Sequence, residues 1–442
     1  MLTQSNAFVG IDLGTSGLRG VVLNTTGAVV AQAQQTWTSD QNRPEIWKSG
    51  LDQILHELKV SSQDYAIRAL SVCSTSGSII PVDQSGQALG PALLYCDPAG
   101  REQAQRLGIP TSWGLAKWLW WQETYPDLYP QSFLAHPSDF LLVHLGAESG
   151  FTDHNCALKS GFDPAQYDWS ATAAHNADMA KFPKVIAPGT VIGQQGNLLL
   201  VAGTTDGCAG QLATGAVAPG QVCTSLGTTL IFKGVSLNQI STADGTVYSH
   251  LHPDRNSWLP GAASSCGGVV LGHFFPDQNF ALLDEQAQIP SGQVCYPLAE
   301  PGERFPILDP EFAGFLPKPL SYAALLEGVA FVERLGLERL AELGVQQTGP
   351  VYTTGGGCRS PRWLKIRASV LNRSLVLPAR PEPAMGAAVL AAAGYWKCSV
   401  QKATERLIQP GLEVKPESDW VAWYAKAYQK FKQAVGLPEV AS

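Results

Sequence analysis

The chain has 442 residues, 45% of them hydrophobic and 15% charged, with a formal net charge of −7. That length allows two domains with cores of their own, and the composition excludes a disordered chain. The negative balance argues against polyanionic partners, so neither nucleic acid nor an anionic membrane is expected.

The start, MLTQSN, lacks the basic flank of a secretory signal. Nine cysteines, odd in number and none in CxxC spacing, read as reduced and mostly buried thiols of a cytoplasmic protein.

Three short strands open the chain, at 7–12, 18–23 and 28–33. Within VGIDLGTSGLRGVV (9–22), Asp12 ends the first strand beside the turn Gly14-Thr15-Ser16-Gly17, whose glycines are free to take positive φ. A turn rich in backbone N–H groups suits an anion, and a carboxylate does not. A cation between the two reconciles them. Helices follow at about 47–59, 114–124 and 132–145. The segment GLAKWLWWQETYPDLY (114–129) carries three of the chain's 12 tryptophans. Packing is their expected role, with stacking on a sugar as the alternative.

NLLLVAGTTDG (197–207) is a strand entering a turn, with a small-residue helix after it. Asp206 is either the N-cap of that helix or a general base at a strand's carboxyl end. Roughly half the chain after the opening, VCTSLGTTLIFKGV (222–235) repeats its pattern: Leu13-Gly14-Thr15 matches Leu226-Gly227-Thr228, and Ser225 replaces the aspartate. Two halves that each begin with the same strand–turn–strand are expected.

Segments 236–257 and 290–319 read as loops, and 320–343 as a helix. PVYTTGGG (350–357) is a strand running into three glycines, with a helix from Pro361. A simple turn needs one glycine. Three suggest close approach of a planar ligand to bare backbone. No Gly-Lys-Ser/Thr follows the opening turn, which excludes a Walker loop. AMGAAVLAAAGYW is shorter than the roughly 20 residues of a bilayer span and reads as a core helix. ESDWVAWYAKAYQKFKQAV has helical spacing and reads as an amphipathic cap.

In this order and spacing, GIDLGTSGLRGVV, GTTDGCAG, SLGTT, LLEGVAFVERLGLERL, TGGGCRSPRWLKIRASVLN and EPAMGAAVLAAAG resemble the FGGY carbohydrate kinases, a branch of the actin-like ATPase superfamily, over nearly the whole chain. The resemblance implies an α/β fold of two ribonuclease-H-like (actin-like ATPase) domains with a central cleft, at 1–216 and 217–442, with the helix at about 417–436 packing back on the first. It implies ATP and Mg²⁺ as cofactors. Gly14, Thr15 and Ser16, and then Gly227, Thr228, Thr229 and Gly268, would hold the phosphates, with Arg19 either touching phosphate or bracing its hairpin, and Gly356, Gly357 and Ser360 at the adenosine. Asp206 would be the catalytic base, Asp12 and Asp206 the metal ligands, and Asp12, Ser74, Ser76, Asp97 and Asp206 the sugar contacts.

The sugar loop SVCSTSGSII (71–80) lacks the Gln-x-His-Gly type of sequence seen in many xylulose and glycerol kinases. Together with the short chain, it looks most like the compact ribulose kinases of cyanobacterial and plastid type. The implied activity is phosphorylation of the terminal hydroxyl of D-ribulose, with D-xylulose as the alternative, by a cytoplasmic monomer or homodimer. An ATP-binding regulatory or chaperone-like protein of the same superfamily, without sugar transfer, is the alternative of another class.

Overall fold

The computed structural model describes residues 4–37 and 42–437. β-branched residues alternate with small ones through the opening segment, which forms an antiparallel meander of β1 (Ser5–Gly14), β2 (Gly17–Asn24) and β3 (Val29–Thr36). Helix α1 (Pro44–Ser61) starts on a proline, whose missing N–H costs nothing in a first turn. It is followed by β4 (Tyr65–Ser74), α2 (Gly114–Thr124), β5 (Val191–Gln195), β6 (Leu198–Val201) and α3 (Asp206–Thr214). The first sheet runs β5-β6-β4-β1-β2-β3, with β1, β4 and β6 parallel.

The second half supplies β7 (Val222–Leu226), β8 (Leu230–Gly234), β9 (Tyr248–Leu251), β10 (Trp258–Ser264), α4 (Tyr322–Glu342), β11 (Val351–Thr354), α5 (Pro361–Leu371), β12 (Leu375–Pro378), α6 (Pro383–Trp396), β13 (Pro410–Val414) and α7 (Ser418–Val435). Its sheet runs β9-β10-β8-β7-β11-β12-β13. From β10 to β13 this order repeats the first sheet from β3 to β5, with β7, β11 and β12 parallel and the flanking pairs antiparallel. The duplicated turn is therefore part of a duplicated sheet.

Two compact units result. One runs to Ala213 and adds His250–Asn256 and Glu382–Gln409; the other takes Thr214–Ser249, Ser257–Pro381 and the chain from Pro410. The break near 213 falls close to the expected 216, but the later crossings were not foreseen. Helix α6 joins the first unit because small residues let it lie directly on β1. A Cβ at Gly10 would overlap the Ala384 carbonyl and the Ala388 amide, and one at Gly386 would overlap the Ala209 carbonyl. Helix α7, expected on the first domain, packs into the second unit's core through Tyr424, Tyr428 and Phe431. The expected helix at 132–145 is a short strand, Phe133–Ala135, then a helix, Pro137–His144, since a residue before proline is driven to extended backbone. The expected loop 236–257 contains β9.

Trp118 and Trp121 are buried with Ile79, Leu93 and Leu134, and the Trp121 indole donates to Ser132 Oγ at 3.0 Å, so both serve packing. None of the nine cysteines is in a disulfide and six are buried. Among the described residues, no helix is long and apolar enough to cross a membrane.

Gly10→Ala should lower stability by at least about 1–3 kcal/mol through overpacking. Urea unfolding measures it against Gly272→Ala, where the added methyl meets nothing within 4 Å.

Candidate active site

The carboxyl ends of three adjacent parallel strands meet in the first unit. Asp12 lies near the end of β1, Ser74 ends β4, and Asp206 follows β6 at the start of α3. Register places Asp12 beside Cys73 and Leu13 beside Ser74, and Ser74 bridges to Thr205. The Ser74 N–H donates to the Thr204 carbonyl at 3.2 Å. Ligands of open α/β sheets bind at such strand ends.

Asp206 is not the N-cap. Thr205 takes that place, its Oγ1 accepting from the Cys208 N–H at 3.3 Å. Asp206 becomes the first helical residue, with Oδ1 2.6 Å from the Gly207 N–H. Asp12 is buried, and its Oδ1 accepts from the Cys73 thiol at 3.6 Å. Burial first, and the Asp206 carboxylate second, push Asp12 up to about 6, against the Cys73 hydrogen bond and the charge of Arg19. Burial, then the Asp12 and Asp206 carboxylates, push the Cys73 thiol well above its usual range. Arg19 is exposed and pairs with Asp12 across β1 and β2, so the two side chains share a sheet face.

The opening turn is a tight hairpin. Gly14 pairs with Gly17 and leaves Thr15 and Ser16 at the tip. Neither glycine takes positive φ. Gly17 is required for packing instead, because a Cβ there would overlap the Gln35 carbonyl. The tip is braced by Trp37, whose indole donates to the Thr15 carbonyl at 3.0 Å and whose N–H donates to the Ser16 carbonyl at 3.1 Å.

The two segments expected around the sugar do come together. Ile79 and Leu93 pair through both backbone hydrogen bonds, and Ser78 Oγ accepts from the Tyr95 N–H at 3.0 Å. Ser74 Oγ accepts from the Ser138 N–H at 3.2 Å, whereas the Ser76 Oγ is buried with no hydrogen-bond partner. Asp97 closes its own turn on the Ala99 N–H at 2.8 Å, and its carbonyl accepts from the Lys117 ammonium at 3.0 Å. Sequence reasoning missed Asn155, whose Nδ2 donates to Thr204 Oγ1 at 3.2 Å, and Cys73. Only the pairing of distant segments reveals either one.

The second unit builds a separate cradle of backbone. Leu226 pairs with Leu230 around the tip Gly227-Thr228-Thr229. The N–H of Gly268 donates to the Gly227 carbonyl at 2.7 Å, and that of Val269 to the Thr228 carbonyl at 3.2 Å. A Cβ at Gly267 would overlap the tip. Gly355 has φ 93°, and side chains at Gly355 or Gly357 would run into Leu226. Gly356 is exposed, with nothing within 4 Å of where its Cβ would be. Two glycines of the triplet are thus explained by packing, and Gly356 alone presents open backbone. Ser360 caps α5, its Oγ accepting from the Trp363 N–H at 2.9 Å.

The chain matches the N-terminal domain of the FGGY family of carbohydrate kinases over residues 7–202 and the C-terminal domain over 222–395. It belongs to that family of carbohydrate kinases. It is 26% identical to the xylulose kinase of Escherichia coli over 441 residues, covering 87% of this chain and 89% of the relative. A xyloylose kinase structure from Brucella ovis superposes with a TM-score of 0.86 at 20% identity, over 97% of this chain and 99% of that one. A glycerol kinase with ADP from Plasmodium falciparum gives 0.82 at 15% identity, over 99% of each.

A carboxylate with a raised folded-state pKa holds more protons when folded, so stability rises as pH falls through that window. Asp12→Asn should therefore stabilise the metal-free protein at pH 8 by up to about 3 kcal/mol. The gain should shrink as pH falls through about 6 and vanish below the ordinary value of 3.8. Thermal unfolding in EDTA across pH measures both.

Proposed function

We propose that this kinase transfers the terminal phosphoryl group of MgATP to the terminal primary hydroxyl of a pentulose. The observation that carries the reading is Asp206: it sits at the carboxyl end of β6 beside the buried Asp12, and Thr205 relieves it of capping. D-xylulose is the first candidate substrate, because relatives matching 87% of the chain are named xylulose kinases. D-ribulose is the second reading. It is favoured by the loop itself, where Ser74, Thr75 and Ser76 stand in place of a Gln-x-His-Gly type of sequence.

The donor set suits Mg²⁺. The ion binds one or two carboxylates and keeps several waters, and Asp12 is a buried carboxylate held up by a second one. Among the described residues no cage of three or more His, Cys, Asp or Glu side chains is present, so water and phosphate would complete the shell. Asp12 and Asp206 would hold the ion, which when bound neutralises charge on the transferring phosphoryl group.

The chain's own groups orient and donate. Backbone N–H groups and hydroxyls of Gly14, Thr15 and Ser16, and of Gly227, Thr228 and Thr229, would grip phosphate oxygens, with Gly268 holding the second tip in shape. Gly356 would lie under the adenosine, with Gly357 and Ser360 fixing that turn. Asp206 would orient the attacking hydroxyl and accept its proton late in the transfer, since an ordinary carboxylate is a weak base for an alcohol. Ser74, Ser76 and Asp97 would receive the remaining sugar hydroxyls.

Asp206→Ala should cut turnover at least 10²-fold with little loss of stability, and Thr205→Ala should cost about 1 kcal/mol of stability. A variant at Asp206 with near-normal turnover refutes its assignment. In a coupled ADP-release assay, both pentuloses should far exceed glycerol. Glycerol leaves buried sugar partners unmatched, at about 1–3 kcal/mol each. Sugar-independent ATP turnover as the sole activity would refute the reading, and the faster pentulose at equal subsaturating concentration decides between the two.

A further inference from the structure

Beneath the glycine loops of the second unit lies a buried polar cluster that the transfer chemistry does not use. Arg367 on α5 and Glu333 on α4 are fully buried and form a bidentate pair, Nε to Oε2 and Nη2 to Oε1, each at 2.7 Å. The same Nη2 lies within hydrogen-bond reach of Thr224 Oγ1 at 3.2 Å and of Thr353 Oγ1, its two hydrogens shared among these and Glu333, and the Thr224 hydroxyl donates to Glu333 Oε1 at 2.6 Å. Thr224 lies on β7 just before the tip Gly227-Thr228-Thr229, and Thr353 lies on β11 just before Gly355.

One guanidinium thus ties together the two strands that carry the two glycine loops. Those loops touch each other at Leu226, against which Gly355 and Gly357 pack. Glycines leave a loop without side-chain anchors of its own. Its position is then set by the strand ends beneath it.

A buried ion pair is seldom retained for stability, because apolar residues of similar volume often serve as well or better. We propose that Arg367 and Glu333 are positioning residues for nucleotide, fixing the relative placement of the phosphate hairpin and the adenosine turn through Thr224 and Thr353. The inference rests on the reading that these loops bind MgATP.

Arg367→Met alone leaves Glu333 buried and unpaired, so a drop in its melting temperature is expected and says little. The informative variant is Glu333→Leu/Arg367→Met, which removes both charges. It should melt near the wild type, yet its KM for MgATP should rise about tenfold, in the range usual for loss of a supporting shell, with the pentulose KM unchanged. Calorimetric affinity of the full chain for MgADP should fall by the same factor. Thr353→Ser should retain wild-type values, and Thr353→Val should share the nucleotide defect.

A stable double variant with wild-type MgATP KM overturns the proposal. So does an equal rise in the KM of both substrates, which marks general loosening. If the double variant fails to fold, the Thr353 pair decides, and equal nucleotide affinity of Ser and Val overturns it. A wild-type protein that binds no MgADP removes the nucleotide reading and the inference with it.

Discussion

Two carboxylates that repel each other at the ends of neighbouring strands, Asp12 buried and Asp206 half-buried, are the constraint around which the first unit's strand ends are built. Asp12 is pushed up to about 6 by burial and by Asp206, and the positive charge of Arg19 does not offset those two effects. Such a pair is unfavourable without a cation. The parallel strands β1, β4 and β6 impose it nonetheless, because their carboxyl ends fall side by side. The strand pairing thus builds in an electrostatic cost, which a cation held between Asp12 and Asp206, as proposed above, would relieve.

The second unit repeats the sheet and omits the cost. Ser225 takes the place of Asp12, and opposite it stands Ile231 where the first copy has Arg19. Between the matched leucine pairs, Leu13 with Leu18 and Leu226 with Leu230, the second hairpin is also one residue shorter. The same topology thus yields an acidic strand end in one unit and a neutral backbone cradle in the other. The two hairpins thus differ in charge at one matched pair of cross-strand positions.

Elements governed by local chemistry were legible in the sequence. The opening meander, the helices from Pro361 and at 320–343, and the repeated Leu-Gly-Thr turn all follow from β-branching, proline placement and glycine. What local patterns could not show was pairing. That Cys73 touches Asp12 depends on the register of β1 against β4. That α6 returns to the first unit depends on Gly10 and Gly386 meeting bare backbone far away in the chain. The N-cap at Thr205 rather than Asp206 is a shift of one residue, smaller than sequence patterns resolve. The Ser360 hydroxyl caps α5. A serine before a proline-started helix carries that signal by itself.

The glycines of the second unit show why packing and recognition are hard to separate. Gly267, Gly268, Gly355 and Gly357 are all occupied by backbone or by Leu226 at the position a Cβ would need. They bring two chain segments into contact with one hairpin, and the hydrogen bonds from Gly268 and Val269 hold it there. Gly356 has no such neighbour. A loop of this kind gains close approach and gives up side-chain anchorage, so its precision must come from below. The hydroxyls of Thr224 and Thr353, gathered by Arg367, lie directly beneath the two loops. The polar core of the second unit is therefore the counterpart of its bare surface: the fewer side chains the loops carry, the more firmly the strands under them have to be fixed.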